Sequence, residues 1–260
     1  MSGINGKIRL AVFKLTSCSG CQQQLIDLGE LLLALLDRVE IAYFLEASSD
    51  AKPGPYDVAL IEGSVSTPHE EKLIKDIREN SKIVVSVGSC ATYGGIQALR
   101  NWMKFEEVKK TVYEKPEWVE ALEKSRPISD FIKVDYAIGG CPANKLQLLS
   151  TLKQILIGRR AYHREESLCQ ECKRKGNVCV VVAKGEPCLG PIIKEGCGAL
   201  CPSYGRGCYG CFGPTIDPKP DALAKRFEDL GLSREEVASR IRNITSWSEP
   251  IRRFLESYER

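Results

Sequence analysis

The sequence predicts an α/β protein in two parts: a doubly wound parallel sheet, then an irregular, cysteine-rich extension closed by C-terminal helices. Three observations carry this reading. Over the first ~157 residues, short β-branched runs alternate with amphipathic stretches, the pattern of parallel strands covered on both faces. Between residues 164 and 220 that periodicity almost vanishes, while 8 of the 12 cysteines, 9 glycines and 6 prolines gather there. From Asp221 onward helix signals return.

The elements follow in order. Ile8 to Phe13 reads as a strand, Gly20 to Asp37 as an amphipathic helix, Val39 to Phe44 as the second strand and Asp57 to Glu62 as the third. Thr67-Pro68-His69-Glu70 opens a helix, with Thr67 as N-cap, Pro68 at the first position and Glu70 closing a capping box. Lys82 to Val87 is the fourth strand, residues 91–130 are helical in pieces, and Val134 to Ile138 is the fifth strand. Asn144 to Ile157 is an apolar-periodic helix stopped by Gly158. Ser233 to Glu236 is a second capping box, and Ser248 to Tyr258 a terminal helix. Alternation of this kind predicts a flavodoxin-like domain over residues 1–160, with its site at the carboxyl edge of the strands near the switch point. Residues 161–260 form the second domain. A stretch as irregular as 164–220 cannot hold itself together by backbone ladders and needs covalent or metal staples.

Composition removes several classes of function. With 37 basic and 34 acidic residues, the net charge of +3 lacks the basic excess of a nucleic-acid binder. The longest apolar run, Leu31 to Leu36, is far short of the roughly 18–20 residues of a membrane helix. The start, Met1 to Lys7, has no secretory hydrophobic region, so the sequence predicts a cytoplasmic protein with no membrane contact. The anomaly is 12 cysteines against two histidines in 260 residues.

Those cysteines admit disulfides, structural zinc or iron–sulfur clusters. Disulfide frameworks belong to small secreted domains, which this chain is not. Zinc and cubane clusters both take four ligands, and twelve thiols divide into three sets of four. Cys18 and Cys21 fall just past the first strand, Cys90 past the fourth and Cys141 past the fifth. Parallel strands put those ends on one edge of the sheet, so four thiols distant in sequence are expected to converge. A thioredoxin-like redox pair at Cys18–Cys21 is the competing reading of that motif. Glu62, after the third strand, falls on the same edge, as a carboxylate that supports the thiol ligands or handles protons, or equally as a solvated loop residue. The other eight thiols, Cys169, Cys172, Cys179, Cys188, Cys197, Cys201, Cys208 and Cys211, lie within 43 residues rich in Gly and Pro. They suit two cubane sites, with zinc knuckles as the alternative. His69 and His163 read as surface or capping residues, and Trp102, Trp118 and Trp247 as packing or interface residues.

These motifs resemble the small, electron-transferring subunit of nickel–iron hydrogenases. The Cys-x-Gly-Cys at Cys18–Cys21, the Gly-Ser-Cys-Ala around Cys90 and the Gly-Gly-Cys-Pro around Cys141 match that family's motifs. So do Cys188-Leu189-Gly190-Pro191, followed by Cys197, and the closing Cys208-Tyr209-Gly210-Cys211. The resemblance covers about residues 7 to 214. It implies three 4Fe–4S clusters: a proximal one on Cys18, Cys21, Cys90 and Cys141, a medial one on Cys197, Cys201, Cys208 and Cys211, and a distal one on Cys169, Cys172, Cys179 and Cys188. Membrane-linked relatives place a histidine where Cys169 stands and a non-ligand near Cys201. The chain therefore looks like the soluble, cytoplasmic branch that couples hydrogen to nicotinamide or deazaflavin cofactors. Within that branch, Cys18 to Gln24 looks most like the delta subunits of archaeal NADP-linked sulfhydrogenases.

The resemblance implies no catalytic residue in this chain. The hydrogen-activating nickel–iron centre is expected on a separate large subunit, and flavin/NAD(P)-binding and additional iron–sulfur subunits are expected as further partners. Two other readings compete with it. A respiratory complex I-type electron-transfer subunit uses a similar core but adjacent cysteines in place of the Cys18–Cys21 spacing, and lacks the eight-cysteine extension. A zinc-stapled interaction module has no redox role.

Overall fold

The computed structural model describes residues 6–260. The amino-terminal residues 1–5, read above for an export signal, lie outside the described residues. The chain divides into two compact units between Tyr162 and His163.

The first unit is built on five strands: β1 (Ile8–Lys14), β2 (Val39–Phe44), β3 (Tyr56–Glu62), β4 (Ser81–Val87) and β5 (Tyr136–Ile138). They form one sheet in the order β2-β1-β3-β4-β5, every neighbouring pair parallel. This is the flavodoxin-like doubly wound order, with its switch point between β1 and β3. Alternation along β1 shows why both faces are covered. Leu10 and Val12 join one buried cluster with Leu25, Leu148, Leu152 and Ile155. Ala11 and Phe13 join the other with Ile74, Ile77, Val84 and Ile128.

The elements of this unit follow the sequence with one helix divided and several ends shifted. Instead of one helix over 20–37 there are two, α1 (Gly20–Ile26) and α2 (Glu30–Leu35). The break falls at Gly29, whose φ of 55° no helix can accommodate. β5 begins at Tyr136 rather than Val134: the Asp135 amide still donates to the Val84 carbonyl at 2.9 Å, but the Val84 amide donates to the Asp135 carboxylate at 2.8 Å, which also accepts from Arg78, instead of to a strand carbonyl. The predicted capping box at the start of α3 (Pro68–Glu79) is present. The Thr67 hydroxyl accepts from the Glu70 amide, and the Glu70 carboxylate accepts from the Thr67 amide at 3.0 Å. The helical pieces expected over 91–130 begin three residues earlier, with α4 (Gly88–Tyr93), and continue through α5 (Phe105–Val112) and three 3₁₀ turns. The Asn144 side chain caps α6 (Lys145–Leu156), and Gly158 ends it at φ 69°.

The second unit holds no β-strand among the described residues, only isolated bridges such as Ser167↔Lys194 and Ile193↔Pro214. It is less irregular than its composition suggests: α7 (Leu168–Arg174), α8 (Val180–Lys184) and α9 (Leu200–Ser203) punctuate the cysteine-rich stretch. Three longer helices follow, α10 (Pro220–Asp229), α11 (Arg234–Ile241) and α12 (Glu249–Tyr258). Phe227, Val237, Ile251 and Leu255 are fully buried among them, so the terminal helix docks on α10 and α11 rather than lying free. Among the described residues no helix is long and apolar enough to cross a membrane.

Candidate functional site

At the carboxyl edge of the sheet, four loops meet. Cys18 lies in the loop after β1 and Cys21 in the first turn of α1. Cys90 sits in α4, straight after β4, and Cys141 in the turn between β5 and α6. Two reciprocal hydrogen bonds lock the last two loops together: Ser89 N donates to the Gly140 carbonyl at 2.8 Å, and Gly140 N donates to Ser89 Oγ at 3.0 Å. Gln97 Nε2 donates to the Thr16 carbonyl, drawing the segment after α4 against the loop after β1.

The sulfurs share one electrostatic neighbourhood. Burial above all pushes the Cys90 thiol up to about 11, with Cys141, Cys18 and Glu62 contributing. Burial likewise takes Cys21 up to about 12, opposed by a hydrogen bond from the Ala143 amide and reinforced by Glu62, Cys90 and Cys141. The Cys141 thiol is raised as well, by burial and then by Cys18 and Glu62. Cys21 is buried while Cys18 and Cys141 are exposed, so the group opens at the surface.

Glycines clear the space around these thiols. A Cβ on Gly88 would lie 2.3 Å from Cys21 Sγ, and one on Gly95 would lie 2.5 Å from Cys90 Sγ. Both glycines also have positive φ, 83° and 65°, which side chains rarely tolerate.

Glu62, undecided from sequence, is buried at 3% exposure. Its Oε2 accepts from the Gln22 amide at 2.6 Å. Burial raises the Glu62 carboxyl, opposed by hydrogen bonds from the Ser17 hydroxyl and the Gln22 amide. It therefore grips the Cys18–Cys21 turn from beneath rather than sitting in solvent. Gln22 Oε1, buried beside it, has no partner among the described residues.

The second unit makes two more groups. Cys169 and Cys172 sit on α7, Cys179 stands just before α8 and Cys188 precedes the 3₁₀ turn at Gly190–Ile192. These four thiols line one cavity with Leu168, Val180 and Pro191. Burial is the main cause taking Cys169 up to about 11, followed by Cys188, Cys172 and Cys179. A Cβ on Gly190 would lie 3.4 Å from both Cys169 Sγ and Cys188 Sγ. The remaining four are Cys197, Cys201 on α9, Cys208 and Cys211. Burial raises the Cys208 thiol far above its ordinary value, with smaller contributions from Cys188, Cys211 and Cys197. Burial raises Cys197 too, with Glu171 and Cys201 adding to it and the Leu200 and Ala199 amides opposing.

All twelve cysteines are free thiols, so the structure contains no disulfide among them. Among the described residues, no three His, Cys, Asp or Glu side chains close on a point as they would around a single metal ion. What the structure brings together is a group of thiols at the sheet edge and eight more in the second unit, several of them raised by burial and several with glycine close to the sulfur. Amide donors already point at several sulfurs: Cys208 N to Cys188 Sγ at 3.2 Å, Gly210 N to Cys208 Sγ at 3.3 Å and Ala143 N to Cys21 Sγ at 3.4 Å. Donors of this kind and thiolate ligands fit an iron–sulfur cluster, whose inorganic core is bulkier than one ion. His69 is exposed on the first turn of α3. His163 is half-buried, and burial lowers it, with Lys194 adding to the shift. Trp247 is buried under the Arg252 guanidinium, whereas Trp118 is 74% exposed.

Fold and site together define a flavodoxin-like α/β domain with a thiol group at its sheet edge, followed by a helical unit carrying eight more thiols. Residues 18–155 match the family described as NADH ubiquinone oxidoreductase, 20 Kd subunit. The chain is 37% identical to the Pyrococcus furiosus sulfhydrogenase 2 subunit delta, over 92% of this chain and all of that one. It is 39% identical to a vhu subunit of the F420-non-reducing hydrogenase of Methanocaldococcus jannaschii, over 80% of this chain and 82% of that one. Among solved structures, a chain of an NAD+-reducing [NiFe]-hydrogenase superposes with a TM-score of 0.57 at 31% identity, covering 61% of this chain and 96% of that one. The chain belongs to the NADH ubiquinone oxidoreductase 20 Kd subunit family and, within it, to the small subunits of hydrogenases.

Proposed function

We propose that this chain is the electron-transfer small subunit of a nickel–iron hydrogenase, holding three 4Fe–4S clusters on its twelve cysteines. The observation that carries the reading is the grouping of thiols. Cys18, Cys21, Cys90 and Cys141 are neighbours at one sheet edge, while the other eight fall into two sets in the second unit. Bound there, the clusters would supply one-electron chemistry, connecting a large subunit's hydrogen-activating centre to a further subunit serving NAD(P). The twelve thiols would hold them as thiolates. Burial raises the Cys21 and Cys208 thiols among others, so binding a cluster at these sites would release their protons. Glu62 would fix the Cys18–Cys21 turn, and the amides at Ala143, Cys208 and Gly210 would donate to ligand sulfur, which raises a cluster's potential. No residue of this chain serves as acid, base or nucleophile in the proposal.

The hydrogenase reading is favoured over a respiratory quinone-reductase subunit by the extension. The family match ends at residue 155, before the second unit begins, whereas the sulfhydrogenase relative aligns over 92% of this chain. The test is Cys90→Ser or Cys141→Ser in the intact complex. Either variant is expected to lose the sheet-edge cluster and with it hydrogen-driven reduction of NAD(P). A variant shown by iron analysis to lack that cluster, yet keeping full coupled turnover, would contradict the relay.

A further inference from the structure

The two thiol groups of the second unit are not independent of each other. Glu171 lies on α7 between Cys169 and Cys172, which belong to one group. Its carboxylate points at the loop that carries Cys197, which belongs to the other. Glu171 Oε2 accepts from both Gly196 N and Ala199 N, each at 3.1 Å. Ala199, fully buried, sits in the left-handed region at φ 49°, where a non-glycine residue rarely stays unless its surroundings hold it. The same side of α7 makes further grips on this loop. Lys175 Nζ donates to the Gly198 carbonyl at 2.9 Å, and Arg174 pairs with the buried Glu195. Asn177 Nδ2 faces both Cys172 Sγ at 3.6 Å and Ser203 Oγ at 3.1 Å, the latter two residues beyond Cys201.

We infer that Glu171 is a positioning residue that docks the Cys197 loop onto the helix bearing Cys169 and Cys172, so that assembly of one cluster orders the ligands of the next. The inference rests on the proposed cluster assignment. Glu171 itself touches no sulfur and is not a cluster ligand. By accepting from both amides it ties the turn between Gly196 and Ala199, and with it Cys197 and Cys201, to α7. The anchor needs an acceptor oxygen at that point, which a glutamine side chain also supplies. The negative charge of Glu171 is a separate contribution, felt at Cys197.

The test uses the full chain in its native complex, purified without oxygen. Wild type is expected to hold about twelve iron and as much acid-labile sulfide per chain. Glu171→Ala is expected to lose about one third of both, the share of one cluster, and to release iron to a chelator faster than wild type. Glu171→Gln is expected to keep full iron, because its amide oxygen accepts the same two N–H groups. Full iron in Glu171→Ala with unchanged release kinetics overturns the inference, and so does an iron loss in Glu171→Gln equal to that in Glu171→Ala. Zinc in place of iron in the wild-type chain instead overturns the cluster assignment itself, and this inference with it. Should Glu171→Ala fail to accumulate, iron content and chelator release in Glu171→Asp, whose side chain keeps the charge but is one methylene shorter, decide in its place: wild-type values for both overturn the inference.

Discussion

At the scale of single residues, glycine at 88 makes the sharpest demand. Its φ of 83° disfavours any side chain, and an added methyl would overlap Cys21 Sγ at 2.3 Å. Gly88→Ala should therefore fold yet fail to fill the sheet-edge group, dropping iron from about twelve to about eight per chain. Iron and sulfide assays check this. Asp57 illustrates a purely structural carboxylate. Burial pushes its pKa up, but the Lys82 ammonium at 2.6 Å and the Arg9 amide at 2.9 Å outweigh burial and hold it below the usual range. A carboxyl depressed in the folded state adds stability above its unfolded pKa of about 3.9, and that stability is lost as pH falls through the folded value. Asp57→Asn should thus lower the thermal midpoint at pH 7, with a cost of about 1–3 kcal/mol, and the gap to wild type should narrow below pH of about 4. A constant gap across that range would contradict the assignment.

At the scale of elements, the start of α3 offers a clean measurement. Thr67→Ala removes the hydroxyl that accepts the Glu70 amide and should cost about 1 kcal/mol, read as a lowered thermal midpoint. That cap was legible in the sequence because capping is local: four residues carry the whole signal. The strands were legible for a similar reason, since β-branched runs need only their own neighbours to be recognised. What sequence did not reveal depends on distant partners. The helix predicted over 20–37 continues its apolar pattern through Gly29, and only the backbone turn there divides it into α1 and α2. Val134 and Asp135 adjoin the strand in sequence, yet the Val84 amide is taken by the Asp135 carboxylate, which also pairs with Arg78, rather than by a strand carbonyl. The short helices α7 and α9 were masked by Gly, Pro and Cys composition. Their turns are held by side chains such as Glu171 and Asn177 rather than by apolar periodicity. Glu62 was visible only as a candidate, because its burial is decided by how the loop after β1 folds over β3. The convergence of Cys18, Cys90 and Cys141 was legible, by contrast, because parallel topology alone sends strand ends to one edge.

At the scale of the whole molecule, two modes of construction are joined in one chain. The first unit would stand on its sheet and two apolar faces, with the thiol group added at the edge where loops are free to vary. The second has no sheet, and its cysteine-rich stretch is knit by isolated bridges, short helices and side-chain clasps around two rings of thiols. Metal binding would supply folding energy to such a unit directly. Everything proposed for this chain turns on what the thiols hold. Iron, acid-labile sulfide and zinc, measured on the anaerobically purified full chain together with EPR after reduction, decide that. Three cubanes require about twelve iron and about twelve sulfide per chain, four of each for every group of four thiolates, with cubane signals in the reduced protein. Stoichiometric zinc without sulfide would contradict the electron relay.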